Sequence, residues 1–170
     1  MEPYKLYFQR IDYDGESYSK GSLKETLSEW GIACSDSQDK PINEMKSLTT
    51  LSWPGEDGSD VYVPETPRAK EYEIQLSFVY CGEDEFRKQK IQSFIDFLKS
   101  GRLAYYDEFT EIGRKDVVYV SYAPDKLIRK SSDENDSISI FKMNFRVHDP
   151  TTDITPVIVN NNVTELTWIN

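Results

Sequence analysis

The strongest constraint on the fold is a stretch of strict alternation at residues 71–80. The apolar or aromatic residues at every second position are Tyr72, Ile74, Leu76, Phe78 and Tyr80. Because successive side chains of a strand point to opposite faces, this pattern predicts a strand with one face buried in a core. Gly82 is expected to end the strand, since glycine interrupts strand patterns.

Two helices are predicted. The principal one covers about residues 84–100, where Phe86 begins an apolar side that continues at spacings of three and four to Leu98, with Gly101 at its end. A shorter helix is predicted from a capping box, Ser22-Leu23-Lys24-Glu25, to Trp30. Gly31 can end it in a left-handed conformation.

Short runs of alternating residues predict the remaining strands, and residues 35–44 are predicted as a loop. The strands are expected at residues 4–11, 48–53, 103–106, 116–122, 127–130 and 137–147. The first is expected to bury one face, and Ala123-Pro124-Asp125 to form a turn or a bulge. In the last strand the alternation moves from Ile138 and Ile140 to Phe141 and Met143. A phase shift of this kind predicts a β-bulge.

Two segments are expected to extend from the sheet. Residues 54–70 contain several prolines and glycines, which cannot supply a central strand, so they predict an extended arm or long hairpin loop. Val61 and Val63 are expected to pair briefly at an edge. Residues 151–170 predict a hairpin with a turn at residues 160–162, or an arm that pairs with a neighbour.

Length and net charge limit the classes of partner that the chain is expected to bind. The chain has 170 residues, which favours one domain, and its formal net charge is −10. This charge argues against binding to nucleic-acid phosphates or to an anionic membrane surface. It does not argue against a channel through which DNA slides. No apolar run reaches the roughly 18–20 residues that span a bilayer. The first residues lack the layout of a signal peptide, so we expect a cytoplasmic product.

Catalytic chemistry has little support. The single histidine, His148, stands beside Asp149 but has no identifiable nucleophile, and no metal-ligand spacing is present. Three acidic stretches (residues 12–16, 56–60 and 133–136) are interpreted as charged turns and not as calcium loops. Cys34 and Cys81 are expected to be reduced thiols, and a disulfide between them is the alternative. We therefore expect no enzyme activity, cofactor, catalytic residue or metal site.

The order of elements resembles a known family. A loop, Pro54-Gly55-Glu56-Asp57-Gly58, precedes the strand at residues 71–80, a helix follows, and the last strand ends in Val147-His148-Asp149-Pro150. This order resembles the N-terminal domain of siphophage distal tail proteins and, more broadly, the tail-tube fold. The loop would match the family's Pro-Gly-x-x-Gly turn and the ending its Asp-Pro motif. The resemblance covers about residues 48–150.

The resemblance implies an α+β, tail-tube-like fold: a mainly antiparallel β-sandwich or barrel flanked by one principal helix. Residues 1–150 would form this domain and residues 151–170 a C-terminal arm or hairpin. We expect no counterpart of the family's frequent second, sugar-binding-like domain within residues 151–170, which are too few to form one. Members assemble as rings, often hexamers, around a central channel, between the tail tube and the baseplate hub.

The implied function is that of a structural tail component. Its partners would be copies of itself and the tube, tape-measure and baseplate hub proteins, without sequence-specific nucleic-acid binding or membrane contact. It would reside in the virion tail after assembly in the bacterial cytoplasm. Residues 54–70 and 151–170 are expected to contact neighbouring subunits. The candidate interface residues are Trp53, Val61, Tyr62, Val63, Val157 and Val159.

Two other functions are considered. The first is a small carbohydrate- or ligand-binding β-sandwich that uses Tyr105, Tyr106 and Tyr122 as a stacking platform. The second, an enzyme, is the weakest, because one histidine has no paired nucleophile. Mass measurement in solution separates a ring from a glycan-binding monomer.

Overall fold

The computed structural model describes residues 5–39, 44–66, 68–129 and 136–168. Its helices are α1 (Thr26–Trp30) and α2 (Asp84–Leu98). Its strands are β1 (Leu6–Tyr13), β2 (Tyr18–Glu25), β3 (Ile32–Ser37), β4 (Thr49–Leu51), β5 (Asp60–Tyr62), β6 (Tyr72–Glu83), β7 (Arg102–Asp107), β8 (Ile112–Arg129), β9 (Asp136–Val147), β10 (Thr155–Val159) and β11 (Asn162–Thr167).

Seven strands of the described ranges form one antiparallel sheet in the order β2-β1-β7-β8-β9-β6-β3. The sheet curls strongly. The rings of Phe8 in β1 and Phe145 in β9 stack with centroids 5.7 Å apart. On a flat sheet these strands, three positions apart, would be separated by about 14 Å. The edge strands β2 and β3 are joined by the short helix α1, so both edges are held near one another at that end.

The main core fills the concave side of this curled sheet. α2 supplies Phe94 and Leu98, and α1 supplies Trp30. The Phe94 ring lies 4.9 Å from that of Trp30 and 5.4 Å from that of Phe78 in β6. The predicted α+β class, an antiparallel sandwich or barrel flanked by one principal helix, is confirmed, and α2 lies within the range predicted for that helix.

A second core lies on the opposite face of β1 and β7. Tyr7, Ile11 and Tyr106 pack there against Ile154 and Leu166 from the C-terminal segment. The prediction of a buried face holds for Leu6 and Phe8, which lie in the main core, but it is incomplete, because β10 and β11 form a hairpin that covers the other face. Gln9 takes part in this contact: its Oε1 accepts a hydrogen bond from the Leu166 backbone N–H at 3.0 Å.

The predicted capping box at residues 22–25 is wrong. Ser22 to Glu25 belong to β2, which pairs with β1, and the short helix begins only at Thr26 with no side-chain cap. Tertiary pairing with β1 outweighs this local signal. The prediction for Gly31 is confirmed, since it ends α1 with φ 69°. Residues 35–37, predicted as loop, are the end of β3.

In the pairing of β8 with β9 the bulges lie in β8 and not in β9. β8 runs unbroken through Pro124, with register shifts between Tyr119 and Ser121 and between Pro124 and Lys126, so a bulge is what interrupts the pattern there. β9 keeps one phase because Ser137 and Ser139 are buried on the same side as Phe141. Gly82 does not end β6; it pairs with Ser137.

Candidate interaction surfaces

A two-stranded ribbon extends from the sheet between β3 and β6. The ribbon comprises residues 44–66 and 68–70, with β4 and β5 paired antiparallel at its centre. At its base the backbone N–H of Lys46 donates to Arg68 O at 2.8 Å, and that of Lys70 donates to Glu44 O at 2.7 Å. All residues of β4 and β5 are exposed. An isolated two-stranded sheet is only marginally stable in water.

The ribbon brings together four of the six candidate interface residues. Trp53 is 56% exposed, Tyr62 72% and Val63 65%, and Val61 is exposed as well. Sequence reasoning did not include Met45, Leu48 and Leu51, which are exposed on the same ribbon. The signal for them was present, because Leu48 and Leu51 lie within the strand predicted before the proline-rich loop.

Cross-strand pairing makes both faces of the ribbon apolar. Thr49 pairs with Tyr62 and Leu51 with Asp60, while Thr50 pairs with Val61. Directly paired residues lie on one face and the next pair lies on the other. Leu51 and Tyr62 therefore share one face, and Val61 lies on the opposite face. Exposed apolar side chains gathered in this way are typical of interaction sites.

The ribbon is anchored to the sheet by a buried polar group, here called the basal cluster: Asp39, Tyr72, Tyr105 and Arg114. The Tyr72 hydroxyl donates to Asp39 Oδ1 at 2.8 Å and accepts from Arg114 Nε at 2.9 Å. The Tyr105 hydroxyl donates to the other oxygen of Asp39. The Asp39 side chain is only 1% exposed, and the Arg114 guanidinium lies 3.8 Å from its carboxylate.

The surroundings in the basal cluster also raise the pKa values of its two tyrosines. Burial, with the neighbouring Asp39 carboxylate, raises the pKa of Tyr72 to about 12. Burial and Asp39 raise the pKa of Tyr105 well above its usual value. Both phenols therefore stay protonated at neutral pH and act as hydrogen-bond donors to Asp39. The cluster thus holds a buried charge pair, Asp39 and Arg114, in place.

The remaining candidate interface residues lie on a different two-stranded sheet. Val159 is exposed and Val157 half-buried on β10, beside the exposed Ile158. This hairpin packs on its own subunit: Glu165 pairs with Lys20 at 2.6 Å, and the Lys20 ammonium lies 4.6 Å from the Trp168 ring centroid. Only the outer side of this hairpin is accessible to a neighbouring subunit. The hairpin is therefore packed on its own sheet and is not a free arm.

The outward side of β6, β9 and β8, facing away from α2 and here called the outer face, carries ordered cross-strand rows. Glu73 pairs with Arg146 at 2.6 Å. In the next row Gln75 donates to Asn144 at 3.0 Å, and Asn144 donates to Ser121 at 2.9 Å. Further along, the rows become apolar. Polar side chains that satisfy one another in this way give a rigid surface.

The residues considered for chemistry, His148, Cys34 and Cys81, have different surroundings. His148 Nδ1 lies 3.2 Å from Glu71 at the surface. Cys34 and Cys81 are free thiols. Cys34 lines a cleft of about 340 Å³ with Asp36, Asp107 and Phe109. Burial and the charge of Asp107 raise the pKa of its thiol to about 12, which disfavours a nucleophilic thiolate.

The acidic stretches form turns where they can be described. In the first, both carboxylate oxygens of Asp14 accept hydrogen bonds from Ser17, and the backbone N–H of Glu16 adds another. Residues 133–135 lie outside the described ranges. Within those ranges no group of three His, Cys, Asp or Glu side chains is placed to hold a metal ion.

The tyrosine platform proposed for sugar stacking is not formed. Tyr105 is fully buried in the main core, and Tyr106 is buried on the other face of β7, in the second core. Adjacent strand residues point to opposite sides, which is why these two cannot share a binding surface. The helices in the described part of the chain are too short or too polar to cross a bilayer.

Asp149 of the Asp-Pro motif stabilises the turn after β9. Its Oδ1 accepts hydrogen bonds from the backbone N–H groups of Thr151 and Thr152, and the Thr152 hydroxyl donates to Oδ2 at 2.6 Å. Burial acts to raise the pKa of Asp149, but these hydrogen bonds outweigh it and lower the pKa below its usual value. The motif thus directs the chain from β9 toward the C-terminal hairpin.

Comparison with known proteins supports the fold. No family model matches the chain, and neither does any curated protein. Among solved structures, the chain is similar to the SPP1 Dit (gp 19.1) protein, described as a paradigm of the hub adsorption apparatus in phages that infect Gram-positive bacteria. The TM-score is 0.53 at 12% identity, over 88% of this chain. The chain spans about half of that protein, 52% of its length.

Proposed function

We propose that this protein is a structural component of a phage or prophage tail, a connector between tube and baseplate that assembles into a ring around a DNA channel. The observation that carries the proposal is the ribbon, whose large apolar side chains are exposed on both faces. The fold similarity to a phage hub protein supports it. The low identity limits that similarity to the fold itself.

The interface in this proposal includes Trp53, Val61, Tyr62 and Val63 on the ribbon, with Val157 and Val159 on the hairpin. Aromatic anchors supply most of the binding energy in protein interfaces, so Trp53 and Tyr62 are the central pair. The other partners are the tube, tape-measure and baseplate hub proteins of the same tail. The protein acts without catalysis, and its place is the virion tail after cytoplasmic assembly.

Light scattering after size-exclusion chromatography, with negative-stain electron microscopy, tests the proposal. We expect concentration-dependent closed rings. The double variant Trp53→Ala/Tyr62→Ala should weaken association by at least about tenfold, because two central anchors are lost. Phe86→Ala is the matched control, since Phe86 is an exposed aromatic residue on α2, away from the ribbon.

A strict monomer, both alone and when coexpressed with the products of neighbouring genes, would contradict the proposal. The genomic position gives an independent check. A tail connector gene is expected beside genes for tape-measure and tube proteins, and isolation from any such genes would argue against a tail role.

A further inference from the structure

The outer face has an apolar end that no helix or strand of the described ranges covers. Val79 in β6 lies beside Ile140 in β9, and Cys81 lies beside Ile138 in the next row. Ile138 also pairs with Ile128 in β8. Ile128 and Cys81 are exposed, and Val79, Ile138 and Ile140 are half-buried. The hairpin of β10 and β11 contacts β2 and β7, at the other side of the sheet.

Lysines border one side of this apolar end. Lys126 pairs with Ile140, and Lys142 lies one row further along β9, on the same face. Glu83 and Asp136 pair with each other beyond Cys81 and Ile138 and give the other side an acidic border.

The ribbon is divided in the same way. Its turn contains Glu56 and Asp57, and Asp60 lies opposite Leu51, whereas its base carries Lys46, Arg68 and Lys70. The chain therefore has two different apolar surfaces, each with an acidic side and a basic side.

We propose that the ribbon of one copy docks on the outer face of β6, β9 and β8 of a second copy, with the Leu51 and Tyr62 side inward. Asp60, which shares that side, then lies toward Lys142 and Lys126. The inference rests on the proposed ring and names its contact. Complementary charge sets the register of such contacts, and apolar burial supplies the stability.

Two different patches on one chain make the contact heterologous. A heterologous contact joins each copy head to tail and closes a ring when its rotation permits. A contact between two identical patches would instead stop at a dimer. In a head-to-tail ring each subunit gives its ribbon to one neighbour and its outer face to the other, so both surfaces are used once.

Disulfide capture between two distinguishable variants tests the contact. The donor carries Leu51→Cys and Cys81→Ser, the acceptor retains Cys81, and both carry Cys34→Ala. The variants differ in mass through an affinity tag, and copper phenanthroline in air oxidises any thiols that meet. Thr50→Cys replaces Leu51→Cys in the control donor, because Thr50 lies on the opposite face of the ribbon.

We expect the Leu51→Cys donor and the acceptor, once mixed, to give a disulfide-linked heterodimer on a non-reducing gel. Either variant alone should give none, and the Thr50→Cys donor should give at least about fivefold less. Lys142→Glu in the acceptor should lower capture several-fold at low salt, and Asp60→Lys in the donor should restore it, as expected for a complementary charge pair.

The outcomes separate this inference from the proposed function. Rings in electron micrographs without heterodimer capture would overturn the docking contact and leave the tail-ring proposal intact. Equal capture by the Leu51→Cys and Thr50→Cys donors would also overturn it, since the contact would not be face-specific. Absence of both rings and capture would overturn both proposals.

Discussion

Tyr72 and Asp39, which flank the ribbon in the sequence, are joined by a hydrogen bond. Asp39 precedes the ribbon and Tyr72 follows it, and the Tyr72 hydroxyl donates to Asp39 Oδ1 at 2.8 Å. Because Arg114 of β8 donates to the same hydroxyl, these two flanking residues are tied to the centre of the sheet. The ribbon itself is exposed along its length, whereas the residues on either side of it are held in a buried cluster.

Removal of this link should destabilise the subunit. Tyr72→Phe keeps the ring but leaves Asp39 and Arg114 each short of a hydrogen bond in a buried site. We expect a loss of about 1–3 kcal/mol in the free energy of unfolding, measured by urea denaturation. Tyr62→Phe, at an exposed tyrosine of the ribbon, is the control and should change it by less than about 0.5 kcal/mol. Equal effects would show that the basal cluster contributes nothing to stability.

Gly113→Ala should loosen the C-terminal segment. A Cβ at Gly113 would lie 2.6 Å from Ile154 Cβ and 3.0 Å from the Tyr105 carbonyl oxygen. Neither neighbour is the end of a flexible chain, so we expect about 1–3 kcal/mol of destabilisation from overpacking. Thermal unfolding measures it, and hydrogen exchange should show faster exchange at Leu166.

Gly21→Ala is the comparison for that variant. It adds the same methyl group on the edge strand β2, beside Arg10. A smaller loss is expected, since the exposed edge can adjust. If both substitutions cost the same, the close approach of Ile154 to Gly113 is not what fixes the segment.

The two cysteines should differ in reactivity toward a disulfide reagent at pH 8. Cys81 is exposed, whereas burial raises the pKa of the Cys34 thiol to about 12. The raised pKa leaves little Cys34 thiolate at pH 8, so Cys81 should react quickly and Cys34 much more slowly. Absorbance of the released thiolate gives both rates. Cys81→Ser should remove the fast phase, and a fast phase that persists would contradict the assignment.

Asp149 should contribute acid-dependent stability. Its pKa in the folded state is lowered, so its contribution is complete above the unfolded value of about 3.9 and is lost as the pH falls through the lower, folded value. Asp149→Asn should therefore be less stable than the native chain by a constant amount from pH 7 to 5. The difference should shrink below about pH 4. A difference that is independent of pH down to pH 2 would exclude the carboxylate as its origin.

The sequence predicted the principal helix, the β6 strand and the ribbon because their signals are local. Alternation at Tyr72 to Tyr80 and the helical spacing of Phe94 and Leu98 reflect a face that each element buries by itself. The same reasoning failed at Ser137 and Ser139. These small polar residues are buried on the core side of β9 while Ile138 and Ile140 point outward. The hydrophobic pattern there therefore did not show which side chains face the core.

Contacts between segments far apart in the sequence were the other features that could not be predicted. β1 is buried on both faces only because Leu166 and Ile154 return to cover it, and the residues around Ser22 become a strand only because β1 is beside them. The basal cluster was missed for the same reason. Asp39, Tyr72, Tyr105 and Arg114 come from four separate segments, and no spacing along the chain connects them.

The hydrogen bond from Leu166 to Gln9 has a consequence for biosynthesis. The second core needs residues of the first strand together with Ile154 and Leu166, so it cannot close until about residue 166 has left the ribosome. Until then Tyr7 and Ile11 remain uncovered on a nascent sheet. Products that end before residue 154 should therefore expose this apolar surface and aggregate.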